Sequence, residues 1–364
     1  MSSYKVRMHT MLGTSHSWAI TMRGFAGGFL NGGHNLYLKT TNGTDDIPLP
    51  MQKHMGEDFG AADIDFCYTL PKNFRRRFLK GSKMRAAIYN YETNIVPFGW
   101  KEIRNNIDFI LPSSNFCRDI FIKNGWPEER CVVVPLGINL NDFKDNRVCK
   151  LNTKKSFKFL NISIPHYRKN IFGLLRAYYS AFSDDDDVCL VLKTSLSSPK
   201  YKFECDVRSE IVKAQKKFRG KKLPQVEVVT KNFLSMVPLY NSCDVLVSAS
   251  SAEGFGLPFL EAMAAKKIVI APRCTGQLDF LDDENSLLVD VSKIRADSRH
   301  QYWRPSKGAE TYDVSIDNLS ERMLESYNNY SIIKNKFYKK MEDTASLFSW
   351  ESSSKKVVSL YESI

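Results

Sequence analysis

Short apolar runs alternate with longer amphipathic segments along this chain, and the alternation is most regular after Ser156. The apolar runs are rich in β-branched residues, as residues 188–192 and 268–270 show. Continuous runs of this kind, separated by helices, are typical of a parallel sheet that is covered on both faces. The sequence therefore predicts an α/β fold.

The pattern divides the chain into two halves that share this alternation. In the first half we predict strands at 5–12, 34–38, 64–67, 86–89, 109–111 and 132–134, and a helix at 18–30. In the second half we predict strands at 157–163, 188–192, 226–229, 245–247 and 268–270, and helices at 171–182, 205–219 and 258–265. Between them, residues 142–155 are polar and aperiodic, which indicates a linker.

The length of 364 residues suits two domains of roughly 150–200 residues each. We predict domains at 1–145 and 146–345, followed by a terminal segment at 346–364. Open parallel sheets bind ligands at the carboxyl ends of their strands, so we expect the active site in a cleft between the domains.

Composition indicates a globular protein, since 43% of the residues are hydrophobic and 25% are charged. No apolar run approaches the roughly 18 residues that a bilayer-spanning helix needs, and residues 1–7 lack the apolar core of a signal peptide. The eight cysteines are scattered without a C-x-x-C pair, which favours buried free thiols in a reducing compartment. We therefore expect a cytoplasmic protein, and peripheral attachment to a membrane surface stays open.

Residues 250–264, which follow the predicted strand at 245–247 and open a helix, carry the clearest chemical signal. Gly254 and Gly256 allow the backbone to approach a ligand closely, and Pro258 fits the first helical turn. The free amides of a helix N-terminus favour a phosphate or a developing anion. Glu253 and Glu261 add two carboxylates, which can accept hydrogen bonds from vicinal hydroxyl groups. Alone, Glu253 would be a helix-capping acid.

Glu253 and Glu261, with Gly-Phe-Gly-Leu-Pro between them, resemble the E-x7-E signature of retaining GT-B glycosyltransferases, particularly glycosyltransferase family four. The resemblance covers about two-thirds of the chain and also rests on residues 168–170, 173–177, 239–240, 244–247, 276–277, 279–281 and 284–285, and in the first half on 112–117 and 134–138. It implies a GT-B-like fold with two Rossmann-like domains that face a cleft. It also implies that residues 346–364 form a helix that crosses back onto the first domain, with Trp350 as a packing anchor.

The resemblance implies a hexosyl- or pentosyltransferase that uses a nucleotide-diphosphate sugar. Glu261 would hold the donor ribose, and Glu253 would position the transferred sugar without attacking it. Lys169, with Arg168 beside it, would neutralise the diphosphate, and fixed cations are suited to that task. The backbone amides of four residues would meet the sugar and its phosphate: Gly254, Phe255, Gly256 and Leu257.

Three features of the first half are less similar to this family. The glycine-rich loop is represented only by residues 13–16, so Gly13 and His16 are donor contacts or part of a turn in which Ser15 caps a helix. Glu92 follows a predicted strand and is a candidate catalytic or acceptor-side carboxylate, or a surface acid. Asp63 and Asp65 spell an Asp-x-Asp metal motif, which the family does not use. We therefore expect no metal site and no cofactor beyond the donor.

The acceptor is the open question. The formal charge of +12 suits anionic ligands, nucleic acid or an acidic membrane without choosing among them. Residues 72–85 carry seven basic side chains and no acid: Lys72, Arg75, Arg76, Arg77, Lys80, Lys83 and Arg85. This segment could bind phosphates of DNA or of a lipid-linked acceptor, or it could be a solvated loop.

Three functions fit these observations. The first is transfer to a glycan or lipid-linked sugar, which the resemblance favours. The second is transfer to hydroxylated bases of phage-type DNA, which a steep salt dependence of binding would reveal. The third is a non-catalytic module that binds nucleotide sugars, against which the intact Glu253, Glu261 and Lys169 argue.

Overall fold

The apolar runs of the first half form a parallel sheet. A computed structural model describes residues 2–10, 12–13, 17–40, 47–56, 58, 60–70, 81–97, 99–100, 104–196, 198–300 and 306–364. The strands of this sheet are β1 (Lys5–Thr10), β2 (Asn35–Thr40), β3 (Ile64–Tyr68), β4 (Met84–Ile88) and β5 (Phe109–Leu111). Within the described residues their order is β2-β1-β3-β4-β5, with every neighbouring pair parallel. All residues of the central β3 are buried, as strands covered on both faces require.

Among the described residues, three helices accompany this sheet, and the limits of the first lie close to the predicted 18–30, whereas the other two were not predicted. They are α1 (Ser17–Asn31), α2 (Leu49–Gln52) and α3 (Asn115–Lys123). Helix α1 buries Met22, Phe25 and Phe29, and it contacts β1 and β2. Ser114 caps α3, because its hydroxyl oxygen accepts a hydrogen bond from the amide of Cys117 at 3.3 Å.

The prediction of a strand at 132–134 is wrong. Cys131 makes only an isolated bridge to Ile110 at the edge of the sheet. The amides of Val132 and Val134 donate to the carbonyl oxygens of Ile110 and Pro112, at 3.1 and 2.9 Å. Since Pro112 has no N–H group to return a hydrogen bond, a regular ladder cannot continue there.

A second parallel sheet follows the linker. It contains β6 (Phe157–Ile162), β7 (Val188–Lys193), β8 (Gln225–Val229), β9 (Val245–Val247), β10 (Ile268–Pro272) and β11 (Leu287–Val289). In the described part of the chain the order is β11-β10-β9-β6-β7-β8, again with parallel neighbours. The helices of this region are α4 (Ile171–Ala181), α5 (Val207–Lys216), α6 (Val237–Asn241), α7 (Leu257–Ala264), α8 (Ile316–Asn328) and α9 (Tyr330–Ser346). Two parallel α/β sheets therefore confirm the predicted fold class.

An antiparallel hairpin, which the sequence did not predict, extends from the second sheet. It consists of β12 (Val291–Arg295) and β13 (Glu310–Val314), in which Lys293 lies opposite Tyr312 and Arg295 opposite Glu310. Both strands carry several charged, exposed residues. They therefore lack the apolar runs by which the other strands were predicted.

The chain returns to the first sheet in its last helix, α10 (Trp350–Glu362). The Trp350 side chain lies so close to Gly24 of α1 that a Cβ atom there would be 2.2 Å from the indole ring. The Ser354 hydroxyl donates to the backbone oxygen of Phe25 at 3.2 Å. The end of the chain thus packs on the beginning, while the domain boundaries at 145 and 345 stay predictions.

Two general expectations can be compared with the structure. The eight cysteines are free thiols, and all are buried except the partly exposed Cys149. Among the helices of the described residues, none is both long and apolar enough to cross a bilayer.

Direct contacts join the two sheet regions at the cleft. The Ser114 hydroxyl donates to the backbone oxygen of Gly254 at 2.6 Å. The Asn115 backbone amide and side-chain amide both donate to Asp279, at 2.7 and 3.1 Å. The N-terminal end of α3 is therefore held against the loops that follow β9 and β10.

Candidate active site

The loop from β9 to α7, residues 248–256, is referred to below as the glutamate loop. It passes so close to the first sheet region that a Cβ atom on Gly254 would be 2.5 Å from the Cβ of Asn90. Gly256 has a φ of +91°, a left-handed conformation that glycine adopts without strain. Helix α7 begins directly after it, and Pro258 lies in the first turn as predicted.

Glu253 is the centre of a buried ionic cluster. One carboxylate oxygen lies 2.5 Å from Lys169 Nζ, and the other lies 3.4 Å from Arg168 Nη1. Burial alone would oppose ionisation, but the nearby charges of Lys169 and Arg168 outweigh it and lower the pKa of Glu253 to about 2. Glu253 is therefore a carboxylate throughout the physiological pH range. Its oxygens are hydrogen-bond acceptors only.

A single 3-10 turn, Tyr167–Lys169, positions both cations. The His166 ring caps the turn by accepting from the Arg168 amide at 3.0 Å. Asn170 ends it with a φ of 50°, and its side chain caps α4 through the amide of Gly173 at 3.0 Å. The Arg168 guanidinium is buried and also donates to the backbone oxygen of Ala252. Burial lowers the pKa of Lys169, and the Glu253 carboxylate partly offsets that effect.

Glu92 reaches the same cluster from the first sheet region. Its Oε1 atom lies 3.5 Å from Arg168 Nη2, and its side chain is 19% exposed. Arg168 therefore stands between Glu92 and Glu253, one carboxylate from each half of the chain. The structure brings together three residues that the sequence predicted as a catalytic set: Glu92, Lys169 and Glu253.

Glu261 lies apart from this cluster, on α7. The Tyr240 hydroxyl donates to Glu261 Oε2 at 2.7 Å and has a raised pKa itself, because it is buried. Burial raises the pKa of Glu261 to about 7, and the hydrogen bond from Tyr240 offsets only part of this shift. The carboxyl group lines a cavity of about 340 Å³ between α7, the segment 233–237 and α1. This cavity has the size and lining of a small-ligand site.

The four residues that follow Glu253 can offer a ligand polar contacts only through their backbones. The Phe255 side chain is buried against Phe280 and Phe348, at ring-centroid distances of 5.1 and 5.8 Å. Gly254 and Gly256 have no side chains, and Leu257 packs against the core. The predicted contacts of these four residues with a sugar phosphate therefore depend on their amides.

The predicted glycine loop of the first half is only partly described. Leu12 and Gly13 are described, and the backbone oxygen of Gly13 accepts from the Arg23 guanidinium. His16 lies outside the described residues. Arg23 also lines the cavity beside Glu261. The sequence does not indicate a role for Arg23, because a single arginine in a helix forms no motif.

Of the basic segment, only Lys83 and Arg85 lie within the described residues, and both form ion pairs. Lys83 pairs with Asp63 at 2.9 Å, and Arg85 pairs with Asp108 at 2.8 Å. Lys72, Arg75, Arg76, Arg77 and Lys80 lie outside the described residues. Lys83 and Arg85 are therefore paired with acidic residues that lie outside the basic segment in the sequence.

The Asp-x-Asp pair is part of the structure of the first sheet. Asp63 accepts from the Lys5 amide at 2.9 Å, and Asp65 is fully buried beside Arg7 at 2.6 Å. In the described part of the chain, no group of three or more His, Cys, Asp and Glu side chains is placed to hold a metal ion. The expectation of metal independence stays a prediction.

Thr275 is a site residue that sequence reasoning missed. Its hydroxyl accepts from the Glu253 amide at 2.9 Å, and the Gly276 amide donates to the Glu253 carbonyl oxygen at 2.9 Å. Thr275 has a φ of 61°, which is unusual for a β-branched residue. Strained backbone of this kind is common at functional sites, but no sequence pattern predicts it.

Sequence comparisons give this geometry a family context. Residues 166–298 match the family model described as "Glycosyl transferases group 1". The alpha-monoglucosyldiacylglycerol synthase of Streptococcus pneumoniae (strain ATCC BAA-255 / R6) is 24% identical over 269 residues, which cover 66% of this chain. The aligned region spans 57% of the length of that synthase.

Solved structures resemble the whole chain. Anabaena Alr3699/HepE in complex with UDP-glucose has a TM-score of 0.74 at 13% identity, covering 99% of this chain and 100% of that one. A glycosyltransferase from Rickettsia africae ESF-5 has a TM-score of 0.69 at 16% identity, covering 99% and 98%. The sucrose-phosphate synthase of Thermosynechococcus elongatus also has a TM-score of 0.69 at 16% identity, covering 98% of each chain. The chain thus has a GT-B-like fold, and its residues 166–298 match a group 1 glycosyl transferase model, which together support a glycosyltransferase enzyme.

Proposed function

We propose that the protein is a retaining glycosyltransferase that moves a sugar from a nucleotide-diphosphate sugar to a hydroxyl group of a glycan or lipid-linked acceptor. The observation that carries this proposal is the cluster of Glu253, Lys169 and Arg168 at the mouth of the cleft. Within a few ångströms it combines a permanently ionised carboxylate, suited to sugar hydroxyls, with two cations suited to a diphosphate.

The cluster matches the charge changes of sugar transfer. The bond between sugar C1 and the diphosphate oxygen breaks, and the leaving nucleoside diphosphate keeps the electron pair. Lys169, Arg168 and the amides at the start of α7 would stabilise that negative charge. Because Lys169 contacts Glu253, an incoming diphosphate would compete with this carboxylate for the ammonium group.

Retention follows if the acceptor hydroxyl attacks C1 on the face from which the diphosphate leaves. The hydroxyl proton would then pass to the departing phosphate oxygen, so the reaction needs no protein nucleophile. Glu253 would orient the donor sugar, and Glu92 would face the acceptor from the other side of Arg168. Glu261 and Tyr240 would bind the donor ribose through its hydroxyl groups.

The relatives suggest which substrates to test first. Alr3699/HepE has been solved with UDP and with UDP-glucose, so UDP-glucose is the first donor. The name of the pneumococcal synthase points to diacylglycerol-based acceptors. Saccharides form the second acceptor class, and the sugar and base that this chain prefers are part of the test.

The experiment measures release of nucleoside diphosphate from UDP-glucose, UDP-galactose, UDP-N-acetylglucosamine and GDP-mannose. Oligosaccharides, diacylglycerol in phosphatidylglycerol vesicles and hydroxymethylated duplex DNA are offered separately as acceptors. Glu253→Ala is compared with Glu342→Ala, which removes an exposed carboxylate from α9. We expect release from one donor, stimulation by a saccharide or lipid, and a loss of about 10²–10³-fold in Glu253→Ala alone.

Product analysis tests the stereochemistry. The C1–H1 coupling in the product, measured by NMR, should show the same anomeric configuration as the donor. An inverted product would contradict retention, and stimulation by DNA alone would contradict the proposed acceptor class. If nucleotides bind but no donor is turned over, the protein is a binding module and the proposed transfer is wrong.

A further inference from the structure

The β12–β13 hairpin spans the cleft and contacts the segment that carries Glu92. The Asn94 side chain forms two hydrogen bonds with Glu310. The Glu310 backbone amide donates to Asn94 Oδ1 at 2.8 Å, and Asn94 Nδ2 donates to Glu310 Oε2 at 3.2 Å. The Ser306 hydroxyl donates to the backbone oxygen of Val96 at 3.0 Å. The second half of the chain thus reaches across to the first half, on the side of Glu92.

The same hairpin is anchored beside the glutamate loop. The Thr311 hydroxyl donates to the backbone oxygen of Ser251 at 3.5 Å. One strand, β13, therefore contacts both the glutamate loop, at Ser251, and the segment that carries Glu92, at Asn94. Its position is tied to both sides of the candidate active site.

A cavity of about 380 Å³ lies between this hairpin and α3. Its described lining contains Glu92, Asn94, Phe116, Asp119, Ile120, Lys123, Lys293, Glu310 and Tyr312. Glu92 belongs both to this lining and to the ionic cluster around Arg168. The cavity therefore opens beside the carboxylate that we place on the acceptor side of the reaction.

The strand register explains why the hairpin lines the cavity. Glu310 and Tyr312 are two residues apart on β13, so their side chains lie on the same face. Lys293 lies directly opposite Tyr312 on β12 and shares that face. Asp313 follows Tyr312 on β13, so its side chain points to the other face.

The lining chemistry fits a saccharide. Three carboxylates and one side-chain amide can bind hydroxyl groups, and Phe116 and Tyr312 offer aromatic surface for the apolar face of a sugar ring. Three acidic groups against two lysines leave no excess of positive charge in this lining. The phosphodiester backbone of DNA requires a binding surface with an excess of positive charge.

We propose that this cavity is the acceptor subsite and that it binds the uncharged sugar ring whose hydroxyl group is glycosylated. Tyr312 and Glu310 are specificity-determining residues, so the acceptor site is completed by the domain that binds the donor. This inference rests on the proposed glycosyltransferase function. A free oligosaccharide and a glycolipid present the same ring chemistry, and the two sources are separated by the test.

The test uses the full-length protein and the variants Tyr312→Ala and Glu310→Gln. Acceptor KM is measured with the active donor for maltose and for dodecyl maltoside micelles, which present the same terminal glucose free or anchored to an alkyl chain, and for lactose, whose terminal ring is galactose. Saccharide binding is also measured without turnover, by saturation-transfer NMR in the presence of UDP. We expect both variants to raise acceptor KM at least fivefold, to weaken the saturation-transfer signal in parallel, and to leave the Kd of UDP unchanged.

Asp313→Asn is the matched control, because it alters an exposed carboxylate on the other face of the same strand. It should keep the wild-type acceptor KM. Equal effects of Asp313→Asn and Glu310→Gln, or an unchanged acceptor KM in Tyr312→Ala, would overturn the subsite. A parallel change in the Kd of UDP would reassign the hairpin to donor binding.

The two proposals fail differently. If the wild-type protein glycosylates only DNA or diacylglycerol and binds no saccharide in the NMR assay, the subsite is wrong and the transferase function stands. If no donor is turned over but saccharides bind and Tyr312→Ala abolishes that binding, the subsite stands and the transferase function is wrong.

Discussion

Lys169 has two partners, because it pairs with Glu253 and is also proposed to bind the diphosphate of the donor. Its single ammonium group is positioned by a turn of only three residues, Tyr167–Lys169. The cation is thus fixed before the leaving group develops its charge, which is the preorganisation that electrostatic catalysis requires.

Replacing Lys169 should therefore affect turnover more than folding. We expect Lys169→Met to lower kcat/KM by about 10²–10³-fold, since a stabilising charge is lost at the leaving group. Lys169→Arg should retain more activity, because the charge is kept. Lys154→Met, which alters an exposed lysine of the linker, is the control. Wild-type kcat/KM in Lys169→Met, measured by UDP release, would refute this role.

The titration of Glu261 predicts that nucleotide binding depends on pH. Its pKa of about 7 means that a growing fraction of the carboxyl group is protonated as the pH falls below 7. Ribose hydroxyl groups donate best to the ionised form, so nucleotide binding must then release a proton. We expect the affinity for UDP to fall below pH 7, by up to about tenfold per pH unit.

UDP also titrates in this pH range, and comparison with Glu261→Gln separates its contribution to the pH dependence of Kd from that of Glu261. The ratio of variant to wild-type Kd, measured by calorimetry between pH 5.5 and 8.5, should rise with pH and level off above about 7.5. A ratio that is constant with pH would show that Glu261 does not contact the nucleotide through its ionised form.

At the scale of single residues, the sequence predicted the acidic and basic site residues but not the residues that position them. Glu253, Glu261 and Lys169 could be selected because their spacing is local and distinctive. Thr275 contacts Glu253 only because a distant loop adopts a φ of 61°, and Arg23 reaches the glycine loop only through the folding of α1. Neither property is encoded in a short pattern.

At the scale of elements, the contact between α1 and α10 can be tested with two neighbouring glycines. A Cβ atom on Gly28 would lie 2.5 Å from the backbone oxygen of Trp350, whereas one on Gly27 would meet no atom within 4 Å. We expect Gly28→Ala to lower the free energy of unfolding by about 1–3 kcal/mol through overpacking. Gly27→Ala should be neutral or stabilise by about 0.5–1 kcal/mol. Both free energies of unfolding are measured by urea denaturation. Equal changes in the two variants would exclude close packing between α1 and α10 at Gly28.

The ion pair between β1 and β3 gives a second test of element packing. Arg7 and Asp65 are both fully buried, with Arg7 Nε 2.6 Å from the carboxylate. Arg7→Met leaves a buried charge without its main partner, so we expect a loss of about 3–5 kcal/mol in unfolding free energy. Replacing both residues, as Arg7→Met with Asp65→Leu, should recover most of that loss in urea unfolding. A double variant no more stable than the single one would contradict the assignment.

Strand prediction succeeded for most of the apolar runs, but it missed β11, whose three residues are all buried. The apolar runs of β7 and β10 are buried throughout, so their sequences show it directly. The hairpin strands β12 and β13 are half exposed and charged, so they have no apolar run from which a strand could be predicted. Residues 132–134 are equally apolar but lie beside Pro112, whose missing amide prevents a ladder.

At the scale of the molecule, the close approach at Gly254 couples the two sheet regions. A Cβ atom there would be 2.5 Å from the Cβ of Asn90, so Gly254→Ala should open the cleft slightly. We expect kcat to fall by about tenfold or more, since small misplacements of reacting groups are costly. Asn90→Gly, which removes the opposing Cβ, should restore part of the activity in the double variant. No loss in Gly254→Ala would mean that this closed geometry is not needed for turnover.

The packing of α10 on α1 also has a consequence for synthesis. The first sheet region is translated early, yet among the described residues the glycine face of α1 packs against Trp350 and Ser354, which follow the whole second sheet region in the sequence. While the ribosome makes the intervening residues, that face has no native partner. The second region can therefore complete its packing before the first, which becomes complete after α10 has emerged from the ribosome.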